Sequence, residues 1–212
     1  IAMATGRLEI TPLGGLGFFG MNMTVFRYDG QIIIVDCGMM FPDEDLLGVD
    51  IAIPDFTYIE EHRDEITAIV LTHAHEDHIG AVPWLWPQLR CPVYCTAFTA
   101  ALLEHKLAEH ALEDEVEINV LPLGSSFKVG GFDLRFVNLT HSIPEPQGLL
   151  ITTPSGRVFH SGDWKIDSRP IFSQPFDMAA LREFGDRGVD VLVCDSTNVL
   201  REGFSPSESD VA

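Results

Sequence analysis

Apolar residues come first in short bursts separated by polar punctuation. Residues 8–13, 23–28 and 32–37 are such bursts, and they predict three successive strands, with Tyr28-Asp29-Gly30-Gln31 as the hairpin turn between the last two. Residues 41–56 are rich in Pro, Asp and Gly and predict a long loop, after which 66–71 predicts a buried strand ending at Thr72. Helical spacing of apolar residues follows over 79–89, where Pro83 suits a first turn, and a clear helix of Ala, Leu, Glu and Lys over 97–111. Segments 117–121, 126–129, 132–139, 149–153 and 157–160 predict a second set of short strands. Residues 176–187 predict a helix and 189–195 a fully buried strand. This order predicts an α/β layered domain with helices packed outside sheet, without internal repeats or low-complexity tracts.

The 212 residues suit one generous domain, and 46% hydrophobic against 21% charged residues excludes a disordered acidic chain. Charge adds a constraint. With 13 Lys+Arg against 32 Asp+Glu, the net charge of −19 rules out holding nucleic acid by a diffuse basic surface, so any nucleic-acid chemistry needs a local positive site. The longest apolar runs, 31–35 and 189–194, fall far short of the roughly 20 residues that span a bilayer, so no membrane segment is expected. Ile1-Ala-Met-Ala4 lacks the basic and apolar regions of a secretory signal, which makes a cytoplasmic address the default expectation. Cys37 and Cys194 lie in strand-like apolar runs and are expected as buried free thiols. Cys91 and Cys95 form C-x3-C, a poor match to a zinc knuckle.

Gly15-Leu-Gly17-Phe-Phe-Gly20 satisfies the dinucleotide pattern G-x-G-x-x-G, but a strand follows where that fold needs a helix N-terminus to hold pyrophosphate. A tight glycine loop between strands, allowing close approach to its backbone, is expected instead.

The informative segment is Thr72-His73-Ala-His75-Glu-Asp77-His78, three imidazoles and a carboxylate at the end of a buried strand. For His62, His105, His110 and His160 a local hydrogen bond is the simpler expectation. Ligands packed this densely repel one another or go unsatisfied unless a cation organises them. Mixed nitrogen and oxygen donors favour zinc, with manganese or iron as alternatives. In an extended stretch residues 73 and 75 point the same way while 77 and 78 straddle the next turn, a geometry that can serve two metals. His141 and Asp163 each follow a predicted strand, so both can reach the same rim.

These residues resemble the metallo-β-lactamase fold hydrolases. Leu13-Gly-Gly-Leu-Gly17, Phe41-Pro-Asp-Glu-Asp-Leu-Leu-Gly48, Ile53-Pro-Asp55, His141-Ser-Ile-Pro144, Ser161-Gly-Asp163 and Asp195-Ser-Thr-Asn198 are similar, within that fold, to the ribonuclease J group of the β-CASP nucleases. The resemblance implies an αββα sandwich in which His73, His75 and His141 hold one zinc, Asp77 and His78 a second, and Asp163 bridges them. It assigns Asp195 to orienting a ligand or assisting proton transfer, and Asp36 to supporting the metal loop from behind. The glycine loop departs from the group's pattern, carrying Phe18 and Phe19 where a Glu and then an Ile are usual.

The resemblance further implies that residues 1–212 are the N-terminal part of a lactamase-like domain, the β-CASP region and closing strands falling after 212. On that view the second metal is weakly held, and an open sheet edge invites a homo-oligomer or companion polypeptide. The activity implied is hydrolysis of RNA phosphodiesters, from the 5′ end and internally, by a hydroxide held between two cations, with Asp77 accepting a proton. Alternatives from the residues alone are a small-molecule metallo-hydrolase of lactamase or thioesterase type, or a non-catalytic metal-binding module.

Overall fold

A computed structural model describes residues 6–42 and 47–210; the start at 1–4 and the centre of the 41–56 loop lie outside the described residues. The chain runs β1 (Glu9–Gly14), β2 (Met23–Tyr28), β3 (Gln31–Val35), α1 (Thr57–Glu61), β4 (Ile66–Val70), α2 (Glu76–Ile79), α3 (Val82–Leu89), β5 (Val93–Cys95), α4 (Ala97–Glu109), β6 (Ile118–Val120), β7 (Ser126–Val129), β8 (Phe132–Asn138), β9 (Gln147–Thr153), β10 (Gly156–His160), α5 (Met178–Arg187) and β11 (Val191–Val193). One sheet has the order β1-β2-β3-β4-β5-β6 and the other β11-β10-β9-β8-β7.

Both faces of the first sheet are apolar, and the period of two sorts its side chains between two cores. On β3, Ile32 and Ile34 face α3 and α4, packing with Leu85, Leu103 and Leu107. Ile33 and Val35 face the opposite way, onto Phe132, Phe136 and Ile151 of the second sheet. That sheet turns Val137 and Phe159 outward onto Ala180 and Phe184 of α5. The layers are therefore helix, sheet, sheet, helix, an αββα sandwich. Among the described residues no helix is long and apolar enough to cross a membrane.

Several elements differ from the sequence expectation. Strand β5 was not predicted, because three residues are too few for periodicity to register; parallel pairing with β4 and β6 defines it. Residues 118–120 consequently join the first sheet rather than the second. The helical pattern at 79–89 divides into α2 and α3, with α2 beginning at Glu76, inside the histidine-rich stretch read as extended. Strand β11 corrects the expectation of full burial: it pairs with β10 on one side only, and Leu192 is 62% exposed. Its apolar run reflects an inner face, since Val193 packs toward the intersheet core and nothing described covers the other side. Cys37, Cys91 and Cys95 are buried, whereas Cys194, just past this edge, is exposed.

The buried Asp167 carboxylate ties the end of the described chain to the domain. It accepts from Ser207 Oγ (2.6 Å), Glu208 N (2.8 Å) and Arg169 N (2.8 Å). The Ser207 hydroxyl foremost, then the Glu208 amide, outweigh burial and bring this carboxyl down to about 2. A depressed carboxyl stabilises the docked segment above its unfolded value, roughly 3.9, and loses that contribution as pH falls toward 2. Hydrogen exchange at residues 207–210 should accordingly rise between pH 4 and 2, ahead of the core strands; uniform protection across that range would refute the tether.

Candidate metal centre

Three strand ends meet at one rim. Strand β4 runs into Thr72 and His73, β8 leads through Thr140 to His141, and β10 leads through a turn at Ser161-Gly162 to Asp163. His73, His75, His141 and Asp163 each place a ligand atom within 4.8 Å of the others, and so, as a second group, do Asp77, His78 and Asp163. Every metal-site residue expected from the sequence is thus at this rim. Asp195 lies at the same cleft, one of its oxygens accepting from Thr197 N and Oγ1 (2.8 and 2.6 Å). His62, His105 and His110 take no part; His62 Nδ1 meets Tyr58 O, and His110 packs on Trp84. His160 accepts from Gly162 N through Nδ1 (3.1 Å) and so shapes the turn before Asp163.

Asp36 organises both groups. Its backbone takes a positive φ of 61°, ending β3 and placing a fully buried carboxylate beneath the histidines. It accepts from His78 Nδ1 (2.7 Å), from Thr72 N (2.8 Å) and from the Thr72 hydroxyl (2.8 Å). Since that hydroxyl donates to Asp36, it accepts from His73 Nδ1 (3.0 Å), which fixes the tautomer and leaves the His73 Nε2 lone pair for the rim. His73 Nε2 and His141 Nε2 both approach His75 Nδ1, at 3.1 and 3.2 Å. Three nitrogens this close are acceptable when their lone pairs share a cation.

Electrostatics separate the groups. Burial, reinforced by His78, His141 and His75, depresses His73 well below the usual range; burial is also the foremost cause lowering His75 and His141. These imidazoles are neutral and ready to ligate at pH 7. At His78 burial opposes charge, but Asp36 and Asp163 outweigh it and push the imidazole up to about 10. Burial and the nearby Asp163 raise Asp77. Burial would raise Asp163 too, yet its hydrogen bond and charge contact with His78 hold it low. The second group therefore favours positive charge at its centre. Asp163 presents one oxygen to each group, Oδ1 at 3.4 Å from His78 Nε2 and Oδ2 at 3.6 Å from His141 Nε2. The donor set fits two divalent cations sharing one carboxylate.

The family model described as Beta-lactamase superfamily domain matches residues 32–202. The chain belongs to the beta-lactamase superfamily. Ribonuclease J of Sinorhizobium meliloti is 47% identical over 209 residues, covering 97% of this chain and 37% of that protein. Ribonuclease J of Corynebacterium glutamicum is 47% identical over 208 residues, covering 97% of this chain and 28% of that protein. This beta-lactamase superfamily chain therefore spans about a third of the length of these relatives. The metallo-beta-lactamase fold protein YhfI from Bacillus subtilis superposes with a TM-score of 0.54 at 18% identity, over 74% of this chain and 62% of that one, a likeness of fold.

Two contributors escaped the sequence reading. Asn22 Nδ2 donates to Asp77 Oδ2 (3.1 Å) and lies 3.0 Å from His78 Nε2, bringing the glycine loop into contact with the second group. Its only sequence signal is a polar residue immediately before a buried strand. Gly38 is the other. Cys37 N and Gly38 N donate to His78 O and Asn22 O, packing the backbone so closely that a Cβ on Gly38 would stand 1.6 Å from Asp77 O. A Gly38→Ala substitution should displace the Asp77–His78 turn, cost about 1–3 kcal/mol or more, and leave the three-histidine group in place. Metal titration is expected to fall from two equivalents to one, with a lowered Tm; two tight equivalents at the parental Tm would contradict this.

Proposed function

We propose that the chain is the metal-binding portion of an RNA phosphodiester hydrolase that cuts from the 5′ end and internally. The observation that carries the reading is the Asp163 carboxylate, turned with one oxygen to each donor group. The 47% identity to two proteins named Ribonuclease J supports RNA over a lactam or thioester as substrate. His73, His75, His141 and Asp163 would hold one cation and Asp77, His78 and Asp163 the other, with zinc favoured by the donors and manganese compatible. When bound, such a pair supplies Lewis-acid charge for in-line displacement at phosphorus and brings the pKa of water toward neutrality.

The chain's own groups do the rest. Asp77, raised by burial and by Asp163, is poised to accept a proton, and Asn22 holds its Oδ2 in place. Asp36 keeps His73 and His78 in their ligating orientation through the hydrogen bonds above. Asp195 borders the cleft, where it would position an arriving ligand or assist proton transfer. A cytoplasmic address suits an RNA substrate. The edge of β11 that no described strand pairs supports a homo-oligomer or a companion polypeptide, which light scattering at high concentration would read.

The deciding experiment offers labelled 5′-monophosphorylated RNA, a chromogenic β-lactam and a thioester to the same preparation with added Zn2+ or Mn2+. Shortened RNA with both small substrates intact, abolished by a chelator, is expected. Lactam or thioester hydrolysis with intact RNA would assign a small-molecule hydrolase, and metal uptake with all three intact a binding module.

A further inference from the structure

The glycine loop between β1 and β2 holds exposed rings over the candidate site. Phe18 is 48% and Phe19 70% exposed, with Leu16 beside them, and all three line the cleft that also contains Asp77, His78 and Asp163. Scattered apolar residues on a surface are ordinary, but a contiguous set on the wall of a cleft marks a binding surface. The loop is firmly anchored despite its glycines. Met21 N donates to Met39 O (3.3 Å), Asn22 N donates to Asp77 O (2.9 Å), and Gly20, at φ 94°, lies so close under Met40 that a Cβ would come within 2.9 Å of its side chain. The rings therefore stand on a wall tied to Asp77, a member of the second donor group.

Charge selects what these rings receive. The cleft, of about 500 Å3, has no Lys or Arg among its described lining residues, and the chain carries −19. Phosphates away from the cations find nothing among these lining residues to neutralise them, so what this cleft itself adds to the affinity for a strand comes from uncharged contacts. An exposed aromatic ring supplies such a contact, because every base has a π face.

We propose that Phe18 and Phe19 are a stacking wall for unpaired bases of single-stranded RNA beside the phosphodiester to be cut. This rests on the ribonuclease reading above. It makes the chain selective for single strands and tolerant of base sequence, since stacking reads neither base edge nor phosphate.

The test uses 5′-monophosphorylated single-stranded RNA carrying 2-aminopurine near its 5′ end, with Mn2+ or Zn2+ present. Binding, fluorescence and single-turnover cleavage are followed for the parent, Phe18→Ala, Phe19→Ala, Phe19→Leu and Phe19→Trp. Each Ala variant should bind about 5- to 100-fold more weakly, relieve the 2-aminopurine quenching and leave the salt dependence of binding unchanged. Trp should restore the parental behaviour and Leu should not. Both rings are exposed, so all variants should melt with the parent. The proposal is overturned if Ala variants bind and quench like the parent, if Leu restores binding fully, or if the parent is a dimer that the Ala variants dissociate. When the parent cleaves RNA and the variants match it, this inference alone fails; when the parent neither binds nor cleaves RNA, the ribonuclease reading fails and this one with it.

Discussion

His75→Ala is expected to abolish hydrolysis while leaving the fold intact. His75 Nδ1 is the atom that both His73 Nε2 and His141 Nε2 approach, so its removal opens the first donor group at its centre. Lewis-acid stabilisation of developing charge is worth several kcal/mol, and each 1.36 kcal/mol is a factor of ten in rate. A loss on the order of 10^3-fold or more in single-turnover cleavage of RNA should follow, together with loss of the tighter metal equivalent. His75 is half-buried and burial lowers its pKa, so the imidazole is neutral at pH 7 and its truncation leaves no charge stranded. The Tm measured in chelator should therefore stay within a few degrees of the parent. Retained cleavage with two tight metals would show that His75 is not a ligand.

Asp36→Ala should destabilise the fold that His75→Ala leaves intact. Asp36 and His78 are both fully buried at 2.7 Å, and removing one partner of a buried pair costs about 3–5 kcal/mol because the other charge loses its closest partner. For a chain of this size that is a fall in Tm of roughly 10 °C. Asp36→Asn separates the electrostatic share. It keeps the shape but turns an amide toward His78, and is expected to weaken metal affinity about 10- to 100-fold. Its pH signature carries a definite sign. His78 is raised, so its pairing with Asp36 and Asp163 stabilises the chelated chain fully below the unfolded value of about 6.5, and that stability is lost as pH rises through about 10. Chelated parent should lose Tm along that alkaline limb, whereas Asp36→Asn should be lower throughout and flatter. Parallel profiles would mean the pair does not govern His78.

The chemistry at the rim was legible because its densest part is local. His73 to His78 occupy six consecutive positions, and backbone geometry alone brings neighbours at that spacing together. An α/β domain with helices outside sheet was legible too, from the alternation of short strands and helical spacing; the αββα order was implied by the family resemblance, and in the structure strands such as β3, apolar on both faces, lie between two cores. His141 and Asp163 were foreseeable as strand ends, but a strand end says nothing about which rim it reaches.

What the sequence determined by itself is the inventory: ligand types, their local spacing, and the elements long enough to show periodicity. Tertiary structure decided the rest. It chose which nitrogen of His73 faces inward, through the path from Asp36 to Thr72 to His73, and it turned the two oxygens of Asp163 to separate groups. It brought Asn22 to Asp77 across 55 residues, placed β6 in the first sheet, and left β11 and Cys194 exposed where an apolar run suggested burial. The physical reason is common to all of these. Spacing along the chain fixes only neighbours within a turn or a pleat, whereas tautomer, shared ligands and strand order depend on contacts between distant segments, whose free energy exists only once the sheets have packed.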